Sequence, residues 1–169
     1  MINIIDGKYV AAQIKSSAAL EVIELKKNGI NPCLAVIIVG DDPASQVYVR
    51  NKKRACDEVG FYSESYELPA ETTQEELNAL VDKLNKNDKI HGILCQLPLP
   101  KHLDENEVIM RIDPSKDVDA FHPQNVGKIM IGDYSFLPCT PAGVMALLER
   151  SGIEVSGKKC VVSGKYSYS

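Results

Sequence analysis

Residues 33–60 read CLAVIIV-GDDP-ASQVYVRNKKRACDEVG: an apolar run Cys33–Val39, a turn Gly40-Asp41-Asp42-Pro43, and a stretch Ala44–Gly60. The first piece is short, continuous and rich in β-branched residues, with Pro32 before it and Gly40 after it, the pattern of a strand buried on both faces. The second has the periodicity of an amphipathic helix, with Val47, Ala55, Cys56 and Val59 as its expected core stripe. Tyr48 and Lys52 are one turn apart on a neighbouring face, because a spacing of four leaves two helical side chains about 40° apart. An aromatic plane beside an amine at the core margin can form a cleft wall. It is equally what an ordinary helix shows, since lysine favours helices and tyrosine snorkels at core edges.

Outward from this unit the alternation continues in both directions. Upstream, Lys8–Lys27 carries an apolar stripe of Val10, Ile14, Ala18, Val22 and Leu25, with Asn28-Gly29 as its stop. Downstream, Phe61–Leu68 reads as a weaker strand. Thr73 and Glu76 have capping-box spacing ahead of Leu77, Leu80, Val81 and Leu84, and Ile90–Leu97 reads as another buried strand. Helices alternating with strands predict an α/β fold with a mainly parallel sheet, because parallel neighbours need crossover helices.

The second buried strand runs into Gln96-Leu97-Pro98-Leu99-Pro100. Two prolines one residue apart cannot continue a sheet ladder, so the chain leaves the sheet here. Gln96 thus falls at the carboxyl end of a buried strand, the edge where open α/β sheets form their ligand crevice. The alternative role for Gln96 is to satisfy loop backbone groups. Asp104 and Glu107 then mark a capping box for a helix over Glu105–Ile112. In Lys116-Asp117-Val118-Asp119-Ala120-Phe121-His122-Pro123, alternation puts both aspartates on one side of an extended segment. Paired acids of this kind can be a solvated edge, a metal site or an anchor for an amidine-like group. Pro138-Cys139-Thr140-Pro141 predicts a helix capped by Thr140 with Pro141 at its first position, and Lys159–Gly164 a strand running into a glycine.

Composition limits the function classes. The 169 residues are 44% hydrophobic and 25% charged, with a formal net charge of −4 and no sustained basic run. This is a globular composition that points away from nucleic acid and anionic membranes and toward a small-molecule partner. The N-terminus lacks a signal-peptide pattern and no apolar run reaches the roughly 18 residues of a membrane span, so the expected location is cytoplasmic. Cys33, Cys56, Cys95, Cys139 and Cys160 are scattered, as are His91, His102 and His122, and no metal-ligand spacing appears.

Four motifs taken together, VGDDPASQVYVRNKKRACDEVGF, GILCQLPLP, KDVDAFHP and PCTPAG, resemble the bifunctional methylenetetrahydrofolate dehydrogenase/methenyltetrahydrofolate cyclohydrolase family in order and spacing. The resemblance runs from about Ile4 to Val162. It implies one-carbon folate chemistry: NADP-dependent oxidation of methylenetetrahydrofolate and hydrolysis of the methenyl product. It also implies that Tyr48 stacks on the pterin and aminobenzoyl region of tetrahydrofolate, that Lys52 is the catalytic amine, that Gln96 positions Lys52, and that Asp119 anchors the aminopyrimidine. No metal is implied, and the family's form is a homodimer.

The sequence departs from the family twice. Ala120 stands where the family has glycine, which matters if that position needs a positive φ. After Val162 the family continues through a glycine-rich turn into a dinucleotide-binding domain, whereas this sequence reads Ser163-Gly164-Lys165-Tyr166-Ser167-Tyr168-Ser169. The expected organisation is therefore a folate-binding catalytic domain over residues 1–137, an inter-domain helix over 138–152 and a remnant of a Rossmann-like domain over 153–169. NADP is expected not to bind this chain. The alternatives are a non-catalytic folate-binding module or an inactive fragment.

Overall fold

The computed structural model describes residues 4–161. Its elements in chain order are α1 (Gly7–Lys27), β1 (Cys33–Val39), α2 (Pro43–Val59), β2 (Tyr62–Leu68), α3 (Gln74–Asn85), β3 (Gly92–Cys95), α4 (Glu105–Arg111), α5 (Pro123–Ile131) and α6 (Cys139–Arg150). The sheet is parallel with order β2-β1-β3, so the apolar run Cys33–Val39 is its central strand. Ile37 lies opposite Cys95 on one side and Tyr66 on the other.

Alternation along β1 builds two cores. Cys33, Ala35, Ile37 and Val39 face Leu77, Val81 and Leu84 of α3 and Val108 of α4. Val36 and Ile38 face the other way, onto Val49 of α2. A strand covered on both sides has no solvated face, which is why its sequence is apolar without interruption. Gly92 opens β3 where a side chain has no room: a Cβ there would meet Val118 Cγ1 at 2.5 Å.

Helix boundaries follow local chemistry. The α3 capping box is present, with Thr73 Oγ1 accepting from Glu76 N and Glu76 returning a carboxylate to Thr73 N. Asp42 accepts from Ser45 N at 2.7 Å to start α2, and Gly60 ends it at φ 85°. Asp104 caps α4, but Glu107 completes no box; its carboxylate accepts from Asn78 of α3 instead.

Several expectations from periodicity need correction. The inward side of α2 comprises Ser45, Val49, Lys52, Ala55, Cys56 and Val59, with Ser45 and Val49 buried, whereas Val47, expected there, is 47% exposed. Helix α6 begins at Cys139 behind Pro138, with no side-chain cap from Thr140, and Pro141 lies inside its first turn. Ile14 and Leu25 of α1 stay 40% and 37% exposed, leaving Val10 and Val22 as its buried residues. Helix α5, not among the expected elements, is capped by His122 and begins at Pro123; its Val126, Met130 and Ile131 are exposed. Residues 159–161 form no regular element, and the rest of the strand expected over 159–164 lies outside the described residues.

Candidate functional site

The site lies at the carboxyl edge of the sheet, where β3 ends and α2 passes over it. Lys52 follows buried Val49 by three residues on the inward row of α2, so its stem is half-buried and its amine reaches past the sheet edge. Gln96 is the residue after β3, and its backbone N–H still donates to Ile37 O at 2.8 Å, which prolongs the ladder by one bond. Lys52 Nζ donates to Gln96 Oε1 at 2.9 Å, and Gln96 Nε2 donates to Leu97 O at 2.8 Å. Both ends of the glutamine amide are thereby used, which sets its orientation: an exchange of O and N would put donor against donor. The loop that follows is held by Glu105 Oε1, which accepts from Leu99 N at 2.8 Å.

Tyr48, one turn before Lys52, is 61% exposed and presents its ring to solvent. An exposed ring beside a half-buried amine is a platform open to a flat ligand.

The two aspartates differ. The segment is a run of turns, closed by Ala120 N donating to Asp117 O at 3.2 Å, and not the extended strand that alternation suggests. Asp117 is buried, and its carboxylate accepts from His122 N at 2.8 Å and Asn125 Nδ2 at 2.9 Å. Its role is to hold the turn together. Asp119 accepts no hydrogen bond among the described residues. Burial pushes its carboxyl above the usual aspartate range; the Lys52 ammonium opposes this and Asp117 adds to it. A half-buried carboxylate without a donor is an acceptor awaiting one. Ala120, which follows it, is buried and has φ 56°, so the position does need the left-handed conformation.

The same electrostatic neighbourhood includes a residue that the motifs left without a role. At the start of α6 the surrounding protein raises the Cys139 thiol's pKa, Asp119 raises it further and Lys52 lowers it. Burial, with Glu105 and Asp119, pushes the Cys95 thiol up to about 12, which makes it an inert wall residue. The signal for Cys139 in the sequence was its place in PCTPAG; nothing in its spacing relates it to residues 20 and 87 positions earlier.

The histidines are structural. His91 Nδ1 accepts from Cys33 N, His102 Nε2 donates to Thr72 O, and His122 Nδ1 accepts from Gln124 N. Among the described residues no three His, Cys, Asp or Glu side chains group to hold a metal ion, and no helix is long and apolar enough to cross a membrane.

This geometry can be set beside known proteins. The family profile described as "Tetrahydrofolate dehydrogenase/cyclohydrolase, catalytic domain" matches residues 5–119, which contain Tyr48, Lys52, Gln96 and Asp119. The chain belongs to this family. It is 63% identical over 163 residues to the bifunctional protein FolD of Acetivibrio thermocellus and 61% identical over 165 residues to that of Agathobacter rectalis. These matches cover 96% and 98% of the chain but 57% and 59% of the relatives' own lengths. Among solved structures, the bifunctional FolD enzyme of Campylobacter jejuni superposes with a TM-score of 0.91 at 50% identity, covering 94% of this chain and 56% of that one. The Trypanosoma brucei methylenetetrahydrofolate dehydrogenase-cyclohydrolase, solved with NADP and an inhibitor, gives 0.87 at 42% identity, covering 92% and 54%. The fold expected from the sequence, α/β with a parallel sheet, is the fold these relatives share.

Proposed function

We propose that the Lys52–Gln96 pair at the carboxyl edge of β3 is the catalytic centre of methenyltetrahydrofolate hydrolysis, with Asp119 and Tyr48 holding the folate. The observation that carries this reading is the 2.9 Å hydrogen bond between an amine on α2 and an amide whose other end is committed. In this reading Tyr48 offers its exposed ring to the flat pterin and aminobenzoyl groups. Asp119 accepts the paired N–H donors of the aminopyrimidine, which satisfies its free carboxylate. Lys52 must first release its ammonium proton; water then adds to the methenyl carbon and gives one proton to the Lys52 amine. The bond from that carbon to one ring nitrogen breaks as that proton is returned to the nitrogen, and the remaining hydroxyl proton leaves to solvent, so that a formyl group is left. A general base of this kind contributes roughly 10²–10⁴ in rate.

The nucleotide half of the family's activity stands differently. The T. brucei relative carries NADP. A pyrophosphate site needs helix N-terminal amides free of negative charge. Of the described turns that lead from a strand into a helix, the one that opens with glycine is Gly40-Asp41-Asp42-Pro43, where Asp42 already occupies Ser45 N and two carboxylates would repel phosphate. The described residues therefore do not fit NADP. We place the NADP site in the part of the relatives' length that these 169 residues do not span, with residues 1–137 as the folate-binding domain, 138–152 as the helix between domains and 153–169 as the start of the next. Hydride transfer and homodimer formation belong, on this reading, to the longer protein.

Titration with a non-hydrolysable reduced-folate analogue, followed by a turnover assay with methenyltetrahydrofolate, tests the reading. Analogue binding with turnover that disappears in Lys52→Met supports it. Binding without turnover supports the non-catalytic folate-binding module, and a folded chain that binds no folate contradicts both.

A further inference from the structure

Asp119, the anchor in the reading above, accepts no hydrogen bond among the described residues, so its direction is set by the backbone that carries it. That backbone is fastened mainly through Lys116. Its half-buried Nζ donates to Leu84 O at 3.2 Å, Asn85 O at 2.8 Å and Asn87 O at 2.9 Å. These carbonyls lie at and just past the end of α3, where a helix leaves acceptors unpaired and its dipole favours a cation. An ammonium presents three N–H donors in a tetrahedral fan and can serve three acceptors at once, which the planar guanidinium of arginine does not match.

The same residue is tied to the sheet. Ile93 N donates to Lys116 O at 2.7 Å, which begins the parallel bridge between Ile93 and Asp117. Gln96 lies three residues beyond Ile93, and Asp119 three residues beyond Lys116. One residue therefore registers the aspartate turn against both the helix that backs it and the strand that delivers the glutamine. Further ties, among them Asp113 N to Asn85 Oδ1, Asn125 Nδ2 to Pro114 O, and the Asp117 carboxylate to His122 N and Asn125, hold the turn's two ends.

We infer that Lys116 is a positioning residue that fixes the turn carrying Asp119 and thereby sets folate affinity; the inference rests on the folate reading above. The role acts through Asp119, so it predicts a pattern of coupling that a general stabilising contact would not give. Dissociation constants for a reduced-folate analogue are measured for the unsubstituted chain, Lys116→Met, Lys116→Arg, Asp119→Asn and the Lys116→Met/Asp119→Asn double variant, with methenyltetrahydrofolate kcat and KM alongside. The expected result is about a 10-fold loss of affinity in Lys116→Met, some 1.4 kcal/mol, carried by KM with kcat little changed, and no further loss when it is added to Asp119→Asn. Lys116→Arg, which keeps the charge, is expected to lose affinity as well and supplies the comparison if Lys116→Met does not fold. Unchanged affinity in the folded variants, losses that add in the double variant, or loss of the fold in both Lys116 variants would overturn the role. A folded unsubstituted chain that fails to bind the analogue would overturn the folate reading and this inference with it.

Discussion

Lys52 and Gln96, 44 residues apart in sequence, meet through a 2.9 Å hydrogen bond in which the glutamine oxygen is the only end of the amide left to accept. The lysine is delivered by the inward row of a helix and the glutamine by the last ladder bond of a strand. Neither depends on a mobile loop for its direction, which is the arrangement that keeps reacting groups in register.

Gln96→Met should therefore lower cyclohydrolase turnover by about 10²-fold, toward the lower end of what an acid–base group contributes, because Lys52 remains but loses its fixed direction. The fold should survive, since methionine keeps the side chain's length and the ladder bond to Ile37 is made by the backbone. Turnover and far-UV circular dichroism on the same preparation check this. Turnover within twofold of the unsubstituted chain would mean that Lys52 needs no such partner.

The two aspartates should separate cleanly by mutation. On the proposed reading, Asp119→Asn replaces the acceptor of the folate donors with a partial donor and should weaken analogue binding by about 1–3 kcal/mol, with the melting temperature nearly unchanged. Asp117→Asn should do the reverse. It disturbs two hydrogen bonds to a buried carboxylate and should cost about 1–3 kcal/mol of stability, with a smaller effect on binding by the folded fraction. Calorimetric titration and thermal unfolding of both variants decide the matter, and loss of binding alone in Asp117→Asn would exchange the two roles.

A pH dependence follows from the direction of the Asp119 shift. Burial raises its carboxyl above the ordinary aspartate value of about 3.9. The group therefore takes up its proton at a higher pH in the folded chain than in the unfolded one. Within that window the folded state holds more protons, so the Asp119 contribution to stability is present below the unfolded pKa and is lost as pH rises through the folded one. If Asp119 accepts the aminopyrimidine donors as proposed, folate binding needs the ionised form, and affinity should begin to fall on acidification at a pH above the ordinary aspartate range. The analogue's affinity measured from pH 7.5 down to the edge of the folded range, in the unsubstituted chain and in Asp119→Asn, isolates this group. Parallel curves for the two would remove Asp119 from the explanation.

How far the sequence disclosed this site depends on the range of the interactions involved. The central strand, the Thr73–Glu76 capping box and the place of Gln96 at a strand end rest on neighbours within a few residues, and the structure has all three. The pairing of Lys52 with Gln96 came from the family resemblance, since periodicity only put Lys52 at a core margin. On the inward row of α2, Ala55, Cys56 and Val59 are part-buried as periodicity suggests, but Val49 takes the place expected of Val47, because Ser45 and Lys52 also belong to the row and neither counts as apolar. The aspartate turn looked extended because alternation carries no information about a carboxylate that folds back on its own chain, as Asp117 does onto His122 and Asn125. Lys116 was silent for a similar reason. Its partners are three main-chain carbonyls 29–32 positions away, and carbonyls have no letter in a sequence.

Ala120 offers the sharpest test of backbone geometry beside the site. It is buried and held at φ 56°, in the turn closed by its own N–H to Asp117 O, and it sets the direction in which the chain leaves Asp119. A methyl group in the left-handed region costs roughly 1–2 kcal/mol that glycine escapes. Glycine in turn forfeits a buried methyl, about 0.8 kcal/mol, and gains unfolded-state entropy. The terms nearly cancel, so Ala120→Gly should leave stability within about 1 kcal/mol of the starting chain. Binding is where the gain should show, because the relaxed turn can close on the folate without holding a strained residue; affinity for the analogue should rise by up to a few-fold. Ala120→Val makes the opposite case. A β-branched side chain at positive φ adds strain that nothing offsets, and the variant should lose at least about 2 kcal/mol of stability and bind the analogue more weakly. Thermal unfolding and calorimetric titration of the pair check both directions. A valine variant as stable as the alanine chain would show that residue 120 does not hold a positive φ in solution, and with that the reason for Asp119's orientation would have to be sought in Lys116 alone.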